Sequence, residues 1–128
     1  MMMTLTNNEI YNYANALAGE FGQDKDIKLP IKINFYLQKN LNELIGLAQE
    51  IEKQRISIAE EYGNLNEETN QYEIPPENIA PATQKLDDFF SLTQDVKIYK
   101  VKLDAFEDLE LTQGQMQALL FMIDDEEE

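Results

Sequence analysis

Apolar side chains recur three or four residues apart from Leu37 through Leu41, Leu44, Ala48, Ile51, Ile58 and Tyr62 to Leu65. That spacing stacks them on one face of an α-helix. The pattern predicts one long helix from Pro30 to Gly63, about 50 Å long at roughly 1.5 Å per residue. A rod of that length needs other segments packed along it. Ile27, Leu29, Ile31, Ile33 and Phe35 alternate with polar residues and also fit a strand. Pro30 argues against a central strand and suits the first turn of a helix, and no turn signal precedes Leu41, so the helical reading is preferred.

Upstream, Ile10, Ala14, Leu17 and Phe21 form a second helical stripe. Thr6 and Glu9 are spaced as a capping box, with Leu5 and Ile10 placed as a hydrophobic staple, which predicts a helix over Asn7 to Phe21. Gly22 is placed to stop it as a C′ glycine. Downstream, Ile79, Ala82, Leu86, Phe89 and Phe90 resume the helical period, and Pro81 sets the expected start of a third helix running to Leu92. Short connections fold that helix back along the second half of the long one, bringing Leu86 and Phe90 against Ile58 and Ile51. Thr112 and Gln115 repeat the capping box, and Leu111 and Met116 the staple, before a last helix whose inward face is Met116, Leu119, Leu120 and Ile123.

Two stretches read as strands. Gln71 to Ile74 ends at Pro75-Pro76, and Asp95 to Leu103 is rich in β-branched residues. A lone strand leaves its backbone groups unpaired, so these two are expected to pair with each other. The predicted architecture is α+β, mainly α. A long central helix packs antiparallel with shorter helices, beside a two-stranded ribbon (71–74 and 95–103), in one domain over 1–123 followed by an acidic tail, 124–128.

Charge changes this picture. Residues 1–103 hold 16 acidic and 10 basic side chains, whereas 104–128 hold nine acids and no Lys or Arg, so most of the net charge of −15 lies in the last fifth of the chain. Such a surface is ill-suited to a phosphate backbone, whose binding relies on Lys and Arg, and no direct nucleic-acid contact is expected. Asp124 to Glu128 reads most simply as a solvated tail. Lys97, Lys100 and Lys102 are either a landing patch for an acidic ligand or strand lysines that block edge pairing. Arg55 is the only arginine and falls on the seam of the long helix. Either its head reaches Glu52 one turn away, or it is buried and paired with Asp87 or Asp88 on a facing helix.

Candidate chemistry is sparse. His and Cys are both missing, which removes the commonest general base, the thiolate nucleophile, disulfides and nearly all zinc sites, and makes a reducing compartment the easier expectation. Neither Ser57 nor Ser91 lies in a nucleophile motif, and no phosphate-cradling glycine pattern occurs. The Asp104, Glu107, Asp108, Glu110 cluster does not follow the spacing of a calcium loop. Carboxylate pairs for glycoside chemistry exist in any acidic chain, and spacing does not discriminate among them. No apolar run approaches the roughly 20 residues of a membrane helix, and Met1 to Asn8 has no signal-peptide pattern. The expectation is a non-enzymatic, cytoplasmic protein without cofactor or metal.

The succession Lys28-Leu29-Pro30-Ile31-Lys32-Ile33, Gln38-Lys39-Asn40-Leu41, Glu52 to Arg55, Ala59-Glu60-Glu61-Tyr62-Gly63, the YEI and VKIYKVKL stretches and the closing LTQGQMQALLFMI together resemble a family of small acidic proteins of tailed bacteriophages of Gram-positive bacteria. The resemblance implies a viral accessory protein made in the bacterial host cytoplasm, without an assigned activity. A protein that binds and inhibits or adapts a host or phage protein is the leading expectation. Its contact surface would be Asp104, Glu107, Asp108 and Glu110 with Phe121 and Met122 of the adjoining helix. A nucleic-acid mimic and a virion-assembly factor are the alternatives, the former disfavoured because Lys39, Lys53 and Arg55 interrupt the acids of the long helix.

Overall fold

The computed structural model describes residues 2–22 and 27–125. The apolar stripe forms a single unbroken helix, α2 (Ile31–Tyr62), about 48 Å long. Its buried face carries Ile33, Leu37, Leu41, Leu44, Ile51 and Ile58. Ahead of it lie strand β1 (Met2–Thr6) and helix α1 (Asn7–Phe21). The Thr6 hydroxyl accepts from the Glu9 N–H and the Glu9 carboxylate accepts from the Thr6 N–H, each at 3.0 Å, so the predicted capping box is present. Gly22 ends α1 in an extended conformation (φ −66°) and not as a left-handed cap.

Beyond α2 come strands β2 (Asn64–Asn66) and β3 (Gln71–Glu73), helix α3 (Pro76–Phe90) and strands β4 (Thr93–Lys97) and β5 (Val101–Lys102). A 3-10 turn (Leu103–Phe106) leads to helix α4 (Gln113–Leu119), a second 3-10 turn (Leu120–Met122) and strand β6 (Ile123–Asp124). The fold is α+β, mainly α. Its core joins Ile10, Leu17, Ile33, Leu37 and Leu44 of the two long helices to Leu5, Val96, Ile98, Val101, Leu119 and Met122, while Ile58 and Ala82 are buried apart from it.

The expected ribbon does not form. Residues 71–73 pair antiparallel with 64–66, because a four-residue turn, closed by Asn70 at φ 58°, brings them together at far lower loop-closure cost than a partner some 20 residues away. The 95–103 stretch is divided between two other sheets. β4 pairs antiparallel with β1, from Met2 opposite Lys97 to Thr6 opposite Thr93, and β5 pairs in parallel with β6. Met3 and Leu5 turn inward from β1 while Met2 and Thr4 face out, a two-residue period hidden in sequence because Leu5 also fits the start of α1.

Helix α3 starts at Pro76, not Pro81. Pro76 occupies a first-turn position where its missing N–H costs nothing. Pro81 leaves only the Glu77 carbonyl without its helical partner, on an exposed turn where water can serve it. The antiparallel course is as expected: Asn78 Nδ2 donates to the Tyr62 carbonyl at the end of α2 (2.9 Å), and Lys85 Nζ reaches Glu61 at 2.6 Å. At the far end of α3, Phe90 packs edge-on to Tyr11, with ring centroids 6.1 Å apart.

Helix α4 carries the second capping box, Thr112 with Gln115, as predicted. Its end differs from expectation. The helix tightens to 3-10 geometry after Leu119, and the change of pitch turns Leu120 outward (58% exposed) while burying Phe121 and Met122. Asp124 belongs to β6 and lies 3.9 Å from Lys102 Nζ, so the body of the fold extends one residue into the expected tail.

Candidate functional site

The residues proposed from sequence as a contact surface separate into two groups. Asp104, Glu107, Asp108 and Glu110 are all exposed on the loop between β5 and α4. That loop is held by Phe106, which is buried in the core, with Leu109 and Leu111 packed against the same cluster. The backbone is tightened by hydrogen bonds from the Glu107 N–H to the Asp104 carbonyl (3.4 Å) and from the Leu109 N–H to the Phe106 carbonyl (3.1 Å). Among the described residues none of these four carboxylates makes an ion pair, and no cluster of acids is arranged to hold a metal ion.

Phe121 and Met122 belong to the core and not to this surface. Phe121 stacks on Tyr13 with centroids 4.8 Å apart, and Met122 is fully buried with its sulfur 3.5 Å from Asn40 Nδ2. Arg55 forms the local pair. Its Nε donates to Glu52 Oε2 (3.0 Å), its Nη2 donates to Glu52 Oε1, and Tyr11 Oη also donates to Oε2 (2.9 Å), tying α1 to α2. The Arg55 guanidinium holds the Glu52 carboxyl below its usual value, while the bond to Glu52 pushes the Tyr11 phenol up. The alternative partners lie elsewhere: Asp88 accepts from Gln84 (2.9 Å), and the Asp87 backbone carbonyl accepts from Ser91.

A second surface was only partly visible in sequence. Tyr99, between β4 and β5, is fixed by the fully buried Asn40: the Asn40 Nδ2 donates to the Tyr99 carbonyl (2.8 Å) and its Oδ1 accepts from the Tyr99 N–H (2.7 Å). The Tyr99 ring stacks on Tyr36 of α2, centroids 5.9 Å apart. Lys39 Nζ lies 5.2 Å from the Tyr99 ring and 5.0 Å from the exposed Phe35 ring, and Lys97 Nζ is also 5.2 Å from Tyr99. Lys100 and Asp124 line an open cavity of about 290 Å³ with Tyr36, Ile98 and Tyr99. Lys97, Lys100 and Lys102 are therefore joined by Lys39 from a different element. The signal for Lys39 was the Lys32, Phe35, Tyr36, Lys39 spacing on one helical face, which acquires meaning only when Tyr99 lands on it.

A cleft of about 580 Å³ between α1 and α2 is lined, among the described residues, by Phe21, Leu37, Leu41 and Ile45, with the uncharged Asn34, Gln38 and Asn42 as its polar side chains. No helix among the described residues is long and apolar enough to cross a membrane. Comparison with known protein families, curated proteins and solved structures gives no match.

Proposed function

We propose that this chain is a non-catalytic binding protein that engages a basic surface of another protein, of bacterial or phage origin, through the acidic turn Asp104 to Glu110, and that it modulates or inhibits that partner. The observation that carries this reading is the contrast in that turn between a buried anchor and an exposed charge. Phe106 fixes the backbone, and Asp104, Glu107, Asp108 and Glu110 stand exposed without ion pairs among the described residues. Anchoring lowers the ordering cost of binding. Concentrated charge of one sign speeds encounter with an oppositely charged surface and makes it salt-dependent.

The partner's origin follows the resemblance to phage proteins and rests on it alone. The test is affinity capture from a Gram-positive bacterial lysate at low ionic strength, comparing the parent with a variant carrying Asp104→Asn, Glu107→Gln, Asp108→Asn and Glu110→Gln. A stoichiometric partner held by the parent, released by salt and lost by the variant is the expected result. A partner retained equally by both proteins places the interface elsewhere, and no stoichiometric partner at all refutes the binding role.

A further inference from the structure

Positive charge in this acidic chain is gathered in two short stretches. Residues 27–42 and 93–103 hold six of its ten basic side chains, Lys28, Lys32, Lys39, Lys97, Lys100 and Lys102, and one of its 25 acids, Asp95. The fold joins the two: Asn40 holds the backbone of Tyr99, Tyr36 stacks on Tyr99, and Lys39 and Lys97 each lie 5.2 Å from the Tyr99 ring. Two carboxylates border the resulting surface, Asp95, which accepts from Thr4, and Asp124, 3.9 Å from Lys102. The acids at the far end of α2, from Glu60 onward, stand about 30 Å from Lys39 along the helix, well beyond the roughly 8 Å over which charge acts at physiological salt.

Apolar side chains stand in the middle of this charge. Ile31 is 89% exposed, more than any other large apolar side chain among the described residues, and Phe35, one turn on, is 57% exposed. With Lys32 and Lys39 they occupy the face of α2 turned away from its buried side, which carries Ile33, Leu37 and Leu44. A solvated isoleucine and phenylalanine ringed by lysines suit the boundary of an anionic bilayer. Apolar groups sink among the acyl chains there, tyrosines sit at headgroup depth, and lysine stems carry their ammonium groups to lipid phosphates.

We propose that this end of α2, with the connection between β4 and β5, docks peripherally on a membrane leaflet rich in anionic lipid, Ile31 and Phe35 entering the leaflet while Lys32, Lys39, Lys97 and Lys100 contact its headgroups. Charge complementarity selects an anionic occupant, and the apolar pair selects lipid over other polyanions. Ile31 has no planar face for a base to stack on, and the rings beside it are already engaged, Tyr36 and Tyr99 with each other and Phe35 with Lys39 at 5.0 Å. The acidic turn takes no part in this docking.

The test is cosedimentation of the full-length protein with vesicles of phosphatidylcholine, alone or mixed in equal parts with phosphatidylglycerol, at an ionic strength of about 0.1 M. Binding to the mixed vesicles and not to the neutral ones is the expected result. A lysine near an anionic leaflet strengthens binding on the order of fivefold, so Lys39→Gln with Lys97→Gln should weaken it on the order of 25-fold. Lys53→Gln with Lys85→Gln makes the same change of net charge elsewhere and should weaken it by less than about threefold. Ile31→Ser alters a side chain the fold leaves in water and should weaken binding roughly tenfold. Phe35→Trp supplies the chain's only tryptophan, whose emission should shift to the blue when mixed vesicles are added. The variant neutralised at Asp104, Glu107, Asp108 and Glu110 should bind at least as well as the parent, and its failure to do so would move the contact to the acidic turn and overturn the proposal. No binding to mixed vesicles, equal binding to neutral ones, equal loss from both lysine pairs, an Ile31→Ser variant that binds like the parent, or an unshifted tryptophan overturns it too. So does displacement from the vesicles by a single-stranded oligonucleotide or by polyglutamate at equal charge concentration, which makes the surface a receptor for those polyanions instead.

Discussion

Asn40 is the side chain whose replacement tests most of this structure at once. It is fully buried on α2, and its carboxamide holds both the N–H and the carbonyl of Tyr99. Asn40→Ala removes two main-chain partners and a weak contact to the Met122 sulfur. A net hydrogen bond is worth about 1 kcal/mol, and a buried group left unpaired costs about 1–3 kcal/mol. Water reaches part of this half-buried connection, so the expected loss is about 2–4 kcal/mol. With an m-value of roughly 2 kcal/mol per molar urea, the middle of the usual range, the unfolding midpoint should fall by about 1–2 M. Hydrogen exchange gives the local reading, because the Tyr99 amide should lose protection more than amides in the middle of α2. Asn40→Asp adds a pH signature. The introduced carboxylate still accepts from the Tyr99 N–H but cannot donate to its carbonyl, and burial raises its folded pKa above the unfolded value of about 3.9. Stability of that variant should therefore fall as pH rises from about 4 to the raised value and level off above it. A loss for Asn40→Ala under about 0.5 kcal/mol, with the Tyr99 amide equally protected, would refute the assignment of Asn40 as the clasp.

Three further substitutions have outcomes set by the same packing. Gly46 lies on the exposed side of α2 with nothing within 4 Å of an added Cβ, so Gly46→Ala should stabilise by about 0.5–1 kcal/mol, read as a higher Tm; destabilisation would mean the helix is not continuous there. At Gly63 a Cβ would stand 2.7 Å from the Glu73 carbonyl oxygen and 3.1 Å from Ile74 Cγ1, so Gly63→Ala should cost about 1–3 kcal/mol and loosen the β2–β3 hairpin, whereas a neutral effect would show that the hairpin does not close on α2. Glu52, depressed by its bond from Arg55, contributes stability that is fully present above the unfolded Glu value of about 4.3 and lost as pH falls through the lower folded value. For this partly exposed pair, the parent's advantage over Glu52→Gln should be about 0.2–1 kcal/mol at neutral pH and vanish in acid, while Asp87→Asn and Asp88→Asn should leave it unchanged.

Helices were legible because what makes them is local. The stripe from Leu37 to Ile58 and the caps at Thr6 and Thr112 are fixed by residues within a turn of one another, and each appears in the structure where its spacing places it. The acidic turn was legible for the same reason: Phe106 among charged neighbours already separates anchor from surface. Strand partners were not, since DVKIYKVKL is compatible with any free edge. The pairing of β4 with β1 and of β5 with β6 was decided by which edges the packed helices bring within reach.

At Leu120, Phe121 and Met122 the helical period points one way and the 3-10 ending another, so only the packed chain decides which side chains face the core. Lys39 and Tyr99 are likewise unremarkable 60 residues apart, and they become one surface because Asn40 carries the bond that joins their segments. The amino-acid sequence by itself determined the helical spine, its caps and the uneven charge, all of which depend on neighbours along the chain. Tertiary structure alone decided the strand partners, the burial of Phe121 and Met122 and the cationic surface, because these depend on which distant groups come together when the apolar faces are buried.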